Sequence, residues 1–267
     1  MIQAQRSGAP PDPNGRGTMK PNIIHFVFGL SLAFAALLLG CRSPKSQADG
    51  VSPELAFVKQ AVEQQLANQM DLLSRQISGF AGVAAADREF SMKLLVDKDK
   101  SAPEVTEIAQ RYLTPMALSI LSITDSQYVI LSCGHFPANT GTVFSAARSL
   151  GATPAFIADN VKGETVLTLQ AKARFTILDT AVFYACGGLT VGKDFLARLV
   201  CWPGYSILVK KGKTVIGMER VESISEVKDN TILLNNTAYP AASISVPYAG
   251  DGDPPALIVV SNKPCVR

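Results

Sequence analysis

One long amphipathic segment constrains the fold more than any other part of the sequence. Apolar residues recur every three or four positions between residues 52 and 86, which is the spacing of one helix face. This stripe consists of Leu55, Val58, Val62, Leu66, Met70, Leu73, Ile77 and Phe80. The start Ser52-Pro53-Glu54 combines a capping hydroxyl, a proline at the first helical position and an acid in the first turn. We therefore expect one long helix that buries this stripe against another element.

Shorter helices and then many strands follow. Asp87 is expected to cap a helix that ends near Val96, and a capping box at 101–104 predicts a third helix that ends near Leu113. From residue 118 the apolar period changes to that of strands. The predicted strands are 118–124, 128–133, 156–159, 164–178, 181–186, 206–210, 214–219, 231–234, 242–246 and 257–260, with short helices at 144–150 and 194–200. Helices first and antiparallel strands second indicate an α+β fold.

Five segments are predicted along the chain. They are a signal segment 1–40 (with 1–18 a start-site extension or tail before Met19), a polar tether 41–51, a helical and sheet domain 52–202, a smaller β-rich subdomain 203–263 and a tail 264–267.

The apolar run Ile23–Leu39 follows the basic start Met19-Lys20, as in a secretory signal. Its end, Leu38-Leu39-Gly40-Cys41, resembles a bacterial lipobox, in which the cysteine receives lipid. Several acyl chains, at about 0.8 kcal/mol per buried CH₂, hold a protein firmly on a bilayer. An uncleaved signal anchor is the alternative, because Ile23–Gly40 is just long enough to span one. Either interpretation predicts an exported, membrane-tethered body that faces the periplasm or cell exterior.

The sequence lacks the residues that several classes of function require. The 25 basic and 22 acidic side chains form no polybasic stripe, so no nucleic-acid partner is expected. HExxH, GxSxG and CxxC patterns are absent. The segment Gly187–Asp194 fits GxxxxGK but places Asp194 where a P-loop needs a hydroxyl, so we expect a glycine turn before a helix there. Asp251-Gly-Asp253 lacks the other ligands of a calcium loop. We predict no catalytic residue, no metal and no cofactor.

The cysteines allow two interpretations. Cys186 and Cys201 flank one predicted helix and form the expected disulfide if one exists. The favoured alternative is that Cys133 and Cys186 are small buried core residues. A weaker hypothesis is an exported hydrolase. It would have to use His135, which is the one histidine after the signal, with Cys133 two residues away.

Three segments resemble the periplasmic sensor region of bacterial transmembrane histidine kinases, of the Cache or PAS-like kind. They are ITDSQYVILSCGHFPANTG (123–141), PAFIADNVKGETVLTLQAKARFTI (154–177) and FYACGGLTVGKDFLARL (183–199). The resemblance is clearest over about residues 118–200. It implies a long helix packed along an antiparallel sheet, whose face and covering loops form a ligand pocket.

The sequence departs from that family because it contains no phosphoacceptor histidine and no ATP-binding glycine motifs. We therefore expect a free-standing sensor domain that binds a small organic ligand and reports through a membrane signalling protein. A truncated or split kinase gene is one alternative. An envelope scaffold lipoprotein that binds a protein partner is another.

Five residues are expected to contact the ligand on physical grounds: Tyr128, His135, Phe156, Arg174 and Tyr184. Arg174 interrupts an apolar strand and could clamp a carboxylate. The alternative for each is ordinary packing, or for Arg174 an ion pair with Asp179 or Glu164. A pocket of roughly 300 Å³ or more between the sheet and loop 134–141 would favour the sensor. A flat sheet face with an exposed apolar patch would favour the scaffold.

Overall fold

The computed structural model describes residues 52–161, 164–199, 202–217, 221, 223–225 and 227–265. The predicted signal segment, Cys41, the rest of the tether and Cys201 lie outside the described residues. Among the residues that are described, no helix has both the length and the apolarity that a bilayer crossing requires.

The long helix is confirmed as α1, Pro53–Ala86. The Ser52 hydroxyl caps it by accepting a hydrogen bond from the Leu55 N–H at 3.2 Å. The predicted stripe is buried except for Met70, which is partly buried, and the buried face continues through Ala81 and Ala84. The helix contacts strands of two different sheets, so its apolar face organises most of the molecule.

Four short helical segments follow. They are α2 (Arg88–Ser91), a π-helical turn (Met92–Val96), α3 (Pro103–Thr106) and α4 (Ile108–Leu113). Asp87 caps α2 as predicted, with its carboxylate accepting from the Phe90 N–H at 2.9 Å. The capping box predicted at Ser101 is wrong. The N-cap is Ala102, because the Ser101 hydroxyl donates instead to Asp99 at 2.6 Å.

The first sheet has five antiparallel strands in the order β2-β1-β5-β4-β3. They are β1 (Ile120–Asp125), β2 (Ile130–Cys133), β3 (Ala155–Val161), β4 (Glu164–Ile177) and β5 (Ala181–Thr190). A 3₁₀ turn (Pro137–Asn139) and helix α5 (Ala146–Ser149) lie between β2 and β3. One face of this sheet packs on α1, and the opposite face is called the outer face below.

The second sheet follows helix α6 (Lys193–Arg198) and is also antiparallel, in the order β7-β6-β10-β9-β8. Its strands are β6 (Tyr205–Lys211), β7 (Thr214–Ile216), β8 (Thr231–Leu234), β9 (Thr237–Ser245) and β10 (Ala256–Ser261). The predicted fold class is confirmed: α+β, with the long helix on an antiparallel sheet and a second β-rich unit.

The helix expected near Lys193 and Asp194 is confirmed as α6, with Gly192 as its N-cap. A glycine turn at Gly187 and Gly188 is wrong, because β5 continues through them to Thr190. The two glycines allow neighbouring atoms to approach closely. A Cβ on Gly187 would lie 2.5 Å from the Ile77 Cδ1 of α1, and a Cβ on Gly188 would lie 2.0 Å from the Leu169 carbonyl oxygen. The pair therefore marks the place where the helix and strand β4 crowd β5.

Candidate functional site

The outer face of the first sheet is covered by the segment 134–150, as the pocket hypothesis requires. Strand β2 bonds to this segment: the Ile130 N–H donates to the Thr142 carbonyl (2.9 Å), and the Gly141 N–H donates to the Ile130 carbonyl (2.8 Å). Gly141 has a φ of +85°, which favours glycine at this bend. The segment is thereby fixed against the edge of the sheet.

A cavity of about 240 Å³ lies between this segment and the sheet. Its polar lining is Ser122, His135, Asn139, Thr142, Ser145 and Asp159, and its apolar lining is Ile130, Val143, Phe144, Ala146 and Ala158. The volume is below roughly 300 Å³, so the size criterion set for the sensor is not met, and the cavity has room only for a small metabolite.

His135 lies in the cavity wall in a defined tautomer. Its Nδ1 accepts a hydrogen bond from the Leu121 N–H at 3.4 Å, so the neutral ring has its proton on Nε2. Burial lowers the pKa of His135, and the nearby Asp159 carboxylate opposes that shift. At neutral pH the imidazole is therefore uncharged and offers an N–H donor.

Cys133 contacts His135 without forming a catalytic dyad. Its Sγ lies 3.5 Å from Nδ1 and 3.8 Å from Nε2, so it is directed at neither nitrogen in particular. Burial raises the pKa of the Cys133 thiol to about 11. The thiol is then protonated at neutral pH, whereas the thiolate is the nucleophile. The geometry gives the hydrolase hypothesis no activated sulfur.

Cys186 is a free thiol and is fully buried, so the expected pairing with Cys201 is wrong. Cys186 lies at the centre of the outer face, directly beside Ser122 of β1 and Lys172 of β4. It packs in a small cluster with Ile130, Cys133 and Phe144, and burial raises its pKa to about 12. The alternative interpretation, small buried core residues, is confirmed for both thiols.

A buried amide connects the cavity to strand β4. The Gln170 side chain donates to the Asp159 carboxylate at 2.7 Å and to the Thr168 hydroxyl at 3.0 Å. Its Oε1 is buried and has no hydrogen-bond partner, and the same holds for the Thr124 hydroxyl oxygen. By strand register both residues belong to the outer face. This face therefore holds hydrogen-bonding capacity that the described protein atoms do not use.

Two stacked tyrosines and a lysine adjoin the cavity. The rings of Tyr128 and Tyr184 are 5.1 Å apart and nearly parallel at 8°. Lys172 Nζ lies 5.2 Å and 5.4 Å from the two ring centroids and donates to the Ala147 carbonyl at 2.8 Å. Tyr128 has a φ of +64°, an uncommon backbone conformation for a bulky residue. Such strain persists where surrounding contacts determine the position of the side chain.

The five predicted ligand residues lie in three different places. His135 lines the cavity, while Tyr128 and Tyr184 stack beside it. Arg174 is exposed on the outer face opposite Tyr184. No ion pair within 4.0 Å joins it to Glu164 or Asp179, both of which the structure describes. Phe156 is fully buried on the helix-facing side, where its ring meets Phe195 at 6.3 Å.

Most residues of the site were not singled out from the sequence, among them Ser122, Asp159 and Lys172. A signal did exist for Lys172, because Gln170, Lys172 and Arg174 alternate with apolar residues along β4 and so share one face. Within the part of the chain that the structure describes, no group of three or more His, Cys, Asp or Glu side chains is placed to hold a metal ion.

Comparison with known proteins gives a match at the level of structure. No family model matches the sequence, and no curated protein matches it. The sensor domain of the Vibrio cholerae histidine kinase DctB superimposes with a TM-score of 0.51 at 9% identity, over 80% of this chain and 98% of that one. The chain has the fold of a Cache/PAS-like sensor domain.

Two further solved structures have lower scores. The periplasmic domain of Vibrio cholerae LuxQ gives a TM-score of 0.49 at 10% identity, over 77% of this chain and 98% of that one. The ligand-binding domain of the Pseudomonas aeruginosa chemoreceptor PctB, solved with L-Arg, gives 0.43 at 11% identity, over 78% and 92%. The expected resemblance to periplasmic sensor regions is confirmed for the fold by the superposition on the DctB sensor domain.

Proposed function

We propose that this Cache/PAS-like chain is an exported, membrane-tethered domain that binds a small polar solute and does not transform it. The tether is either a lipid on Cys41 or an uncleaved anchor. The domain then reports occupancy to a membrane signalling protein. The observation that supports binding most directly is the cavity under segment 134–150, because both His135 and Asp159 line it.

These groups define the chemistry of the ligand. A neutral imidazole N–H requires an acceptor, while the carboxylate of Asp159 favours a donor or a cation. The Ser122 hydroxyl donates to the Cys186 carbonyl at 3.5 Å, and its oxygen can accept from a ligand donor. The expected ligand is therefore a small metabolite with an acceptor at one end and a donor at the other. Tyr128 and Tyr184 border the site, and Arg174 is proposed to act from its periphery, whereas Phe156 belongs to the core on the other side of the sheet.

The scaffold alternative needs an exposed apolar sheet face. In the first sheet the outer face is covered by segment 134–150. The large exposed apolar side chains of the described residues include Val96, Leu178 and Leu233, which come from separate elements. These observations favour solute binding over a scaffold.

A thermal-shift screen of residues 50–267 against amino acids, organic acids and amines tests the proposal. A solute at 100 times its Kd should add about 2.7 kcal/mol to the free energy of unfolding. Asp159→Asn should weaken that solute about tenfold or more, because a hydrogen bond to a charged group is lost. Asp179→Asn at the exposed β4–β5 turn is the matched control. Absence of any hit, or a hit that both variants bind equally, would contradict the cavity as the site.

A further inference from the structure

We infer that Phe57 and Trp202 form a contact with the bilayer surface at the end of the molecule where α1 begins. The inference rests on the membrane tether of the proposed function and is independent of solute binding. Phe57 is 55% exposed and Trp202 is 37% exposed. The two rings nevertheless touch edge to face, with centroids 5.2 Å apart and an interplanar angle of 76°.

The backbone presents Trp202 at a defined position. Trp202-Pro203-Gly204-Tyr205 is a tight turn closed by a hydrogen bond from the Tyr205 N–H to the Trp202 carbonyl at 3.0 Å. Gly204 has a φ of +85°, and a proline followed by such a glycine is typical of a type II turn. Since the turn is hydrogen-bonded and contains proline, it loses little entropy when Trp202 is placed against another surface.

Both ends of the described chain meet at this turn. Tyr205 lies beside Ser52 and Glu54 at the start of α1. After β10, the Asn262 N–H donates to the Gly204 carbonyl at 2.8 Å, and the Asn262 side chain accepts from the Ser206 hydroxyl at 2.7 Å. The exposed aromatic pair therefore lies where the polypeptide enters and leaves this body.

The tether limits how far this end can move from a membrane. Ten residues separate Cys41 from Ser52 in the sequence, so the chain between them spans at most about 40 Å. A lipid or anchor at Cys41 would thus hold the start of α1 near the bilayer, where a weak contact forms at high effective concentration. Exposed tryptophan is the side chain best suited to the headgroup region, because its ring is apolar and its N–H is polar.

The charged side chains named here, which lie near the pair in sequence or in the turn, include both signs. Glu54 is acidic, while Lys59 is paired with Glu63 at 3.6 Å. Lys263, next to Asn262, adds one basic group. These described side chains carry no net basic charge, so the proposed contact should not require an anionic headgroup, and neutral phosphatidylcholine is the lipid for the test.

Trp202 is the one tryptophan of the chain, so its fluorescence reports the contact directly. The full chain is reconstituted into phosphatidylcholine vesicles, and flotation first establishes that it is tethered. We expect the emission to shift to shorter wavelength, to lose intensity with acyl-brominated phosphatidylcholine and to resist quenching by acrylamide. Phe57→Ser should weaken all three effects. Leu178→Ser, which changes an exposed leucine at the β4–β5 turn, should leave them unchanged.

Three outcomes would overturn the inference. In the first, the chain floats with the vesicles, but acrylamide quenches Trp202 as strongly as it does without lipid. That result would support the tether and contradict the contact. Acrylamide protection that appears without lipid and rises with protein concentration would show that a second copy covers the pair. A chain that fails to float would overturn both the tether and this contact. Solute binding, measured by thermal shift, would still be decided separately.

Discussion

Single glycines determine how tightly the first sheet and α1 can pack. Gly188→Ala should lower the free energy of unfolding by about 3 kcal/mol, the upper end for overpacking. The new Cβ would lie 2.0 Å from a backbone oxygen, that of Leu169, which cannot move aside as a flexible side chain can. Urea denaturation followed by circular dichroism measures the change.

Gly192→Ala is the matched control for that substitution. Gly192 has extended backbone angles (φ −140°, ψ −168°), and a Cβ at this residue would meet nothing within 4 Å. Gly192 is the N-cap of α6, where alanine is less favourable than glycine, so its replacement should cost no more than about 1 kcal/mol. Equal effects at both glycines would contradict the close approach of β4 to β5.

His135 should make stability depend on pH in a defined direction. Burial lowers its pKa in the folded state below the ordinary value. As the pH falls through that ordinary value, about 6.5, the unfolded chain takes up a proton that the folded protein does not. Stability therefore decreases on acidification until the folded-state pKa is also passed, and it is regained as the pH rises.

His135→Gln removes this titration, so its stability should change less than that of the wild type between pH 7 and pH 5. Denaturation midpoints measured at several pH values for both proteins give the comparison. Asp159 is retained in both proteins, and its opposing charge is therefore the same. If the stability of the wild type rose relative to that of the variant as the pH fell from 7 to 5, the direction of the pKa shift would be contradicted.

The sequence predicted some site residues and missed others for a geometric reason. His135 was singled out as the one histidine of the body, and it lines the cavity. Phe156 and Asp159 lie three positions apart in one strand, so they point to opposite faces. The sequence does not say which face segment 134–150 covers. Only the fold shows that Asp159 borders the cavity while Phe156 belongs to the core.

At the scale of elements, two caps that look similar in the sequence have different roles. Asp87→Ala should lower the free energy of unfolding by about 1 kcal/mol, because its carboxylate accepts from the Phe90 N–H at the start of α2. Ser101→Ala should have a smaller effect, because Ser101 caps no helix and its hydroxyl bonds to exposed Asp99. Chemical denaturation of the two variants makes the comparison. A larger loss for Ser101→Ala would restore the capping box.

The long helix with its regular apolar repeat was predicted well, whereas the partners of individual local hydrogen bonds were not. The apolar stripe of α1 extends over many turns, so errors at single positions do not alter its prediction. The continuation of β5 through Gly187 and the helix cap at Ala102 each depend on a single local contact that could be made by either of two groups. In the first case tertiary crowding by α1 and β4 favours a continuous strand over a glycine turn. A single sequence contains no record of such neighbours.

At the scale of the whole molecule, the two sheets share one core. Residues of α1, of the first sheet and of β9 and β10 form a single buried cluster. The edge strand β3 also bonds to the segment before β10: the Phe156 N–H donates to the Pro247 carbonyl at 2.8 Å, and the Ala249 N–H donates to the Phe156 carbonyl at 2.9 Å. The predicted boundary near residue 202 therefore separates two sheets that are joined by a helix and by an edge contact.

This shared core predicts that the two sheets unfold together. Trp202 fluorescence reports the entry to the second sheet, while far-UV circular dichroism is dominated by α1 and both sheets. We expect the two signals to give coincident transitions. A solute that binds at the first sheet should raise both midpoints equally, because unfolding of either sheet removes the core of the other. Two separate transitions, or a solute shift seen by one signal alone, would instead make 52–202 and 203–263 independent units. Solute binding at His135 and Asp159 would then not be coupled through the shared core to the end of the molecule that contains Trp202.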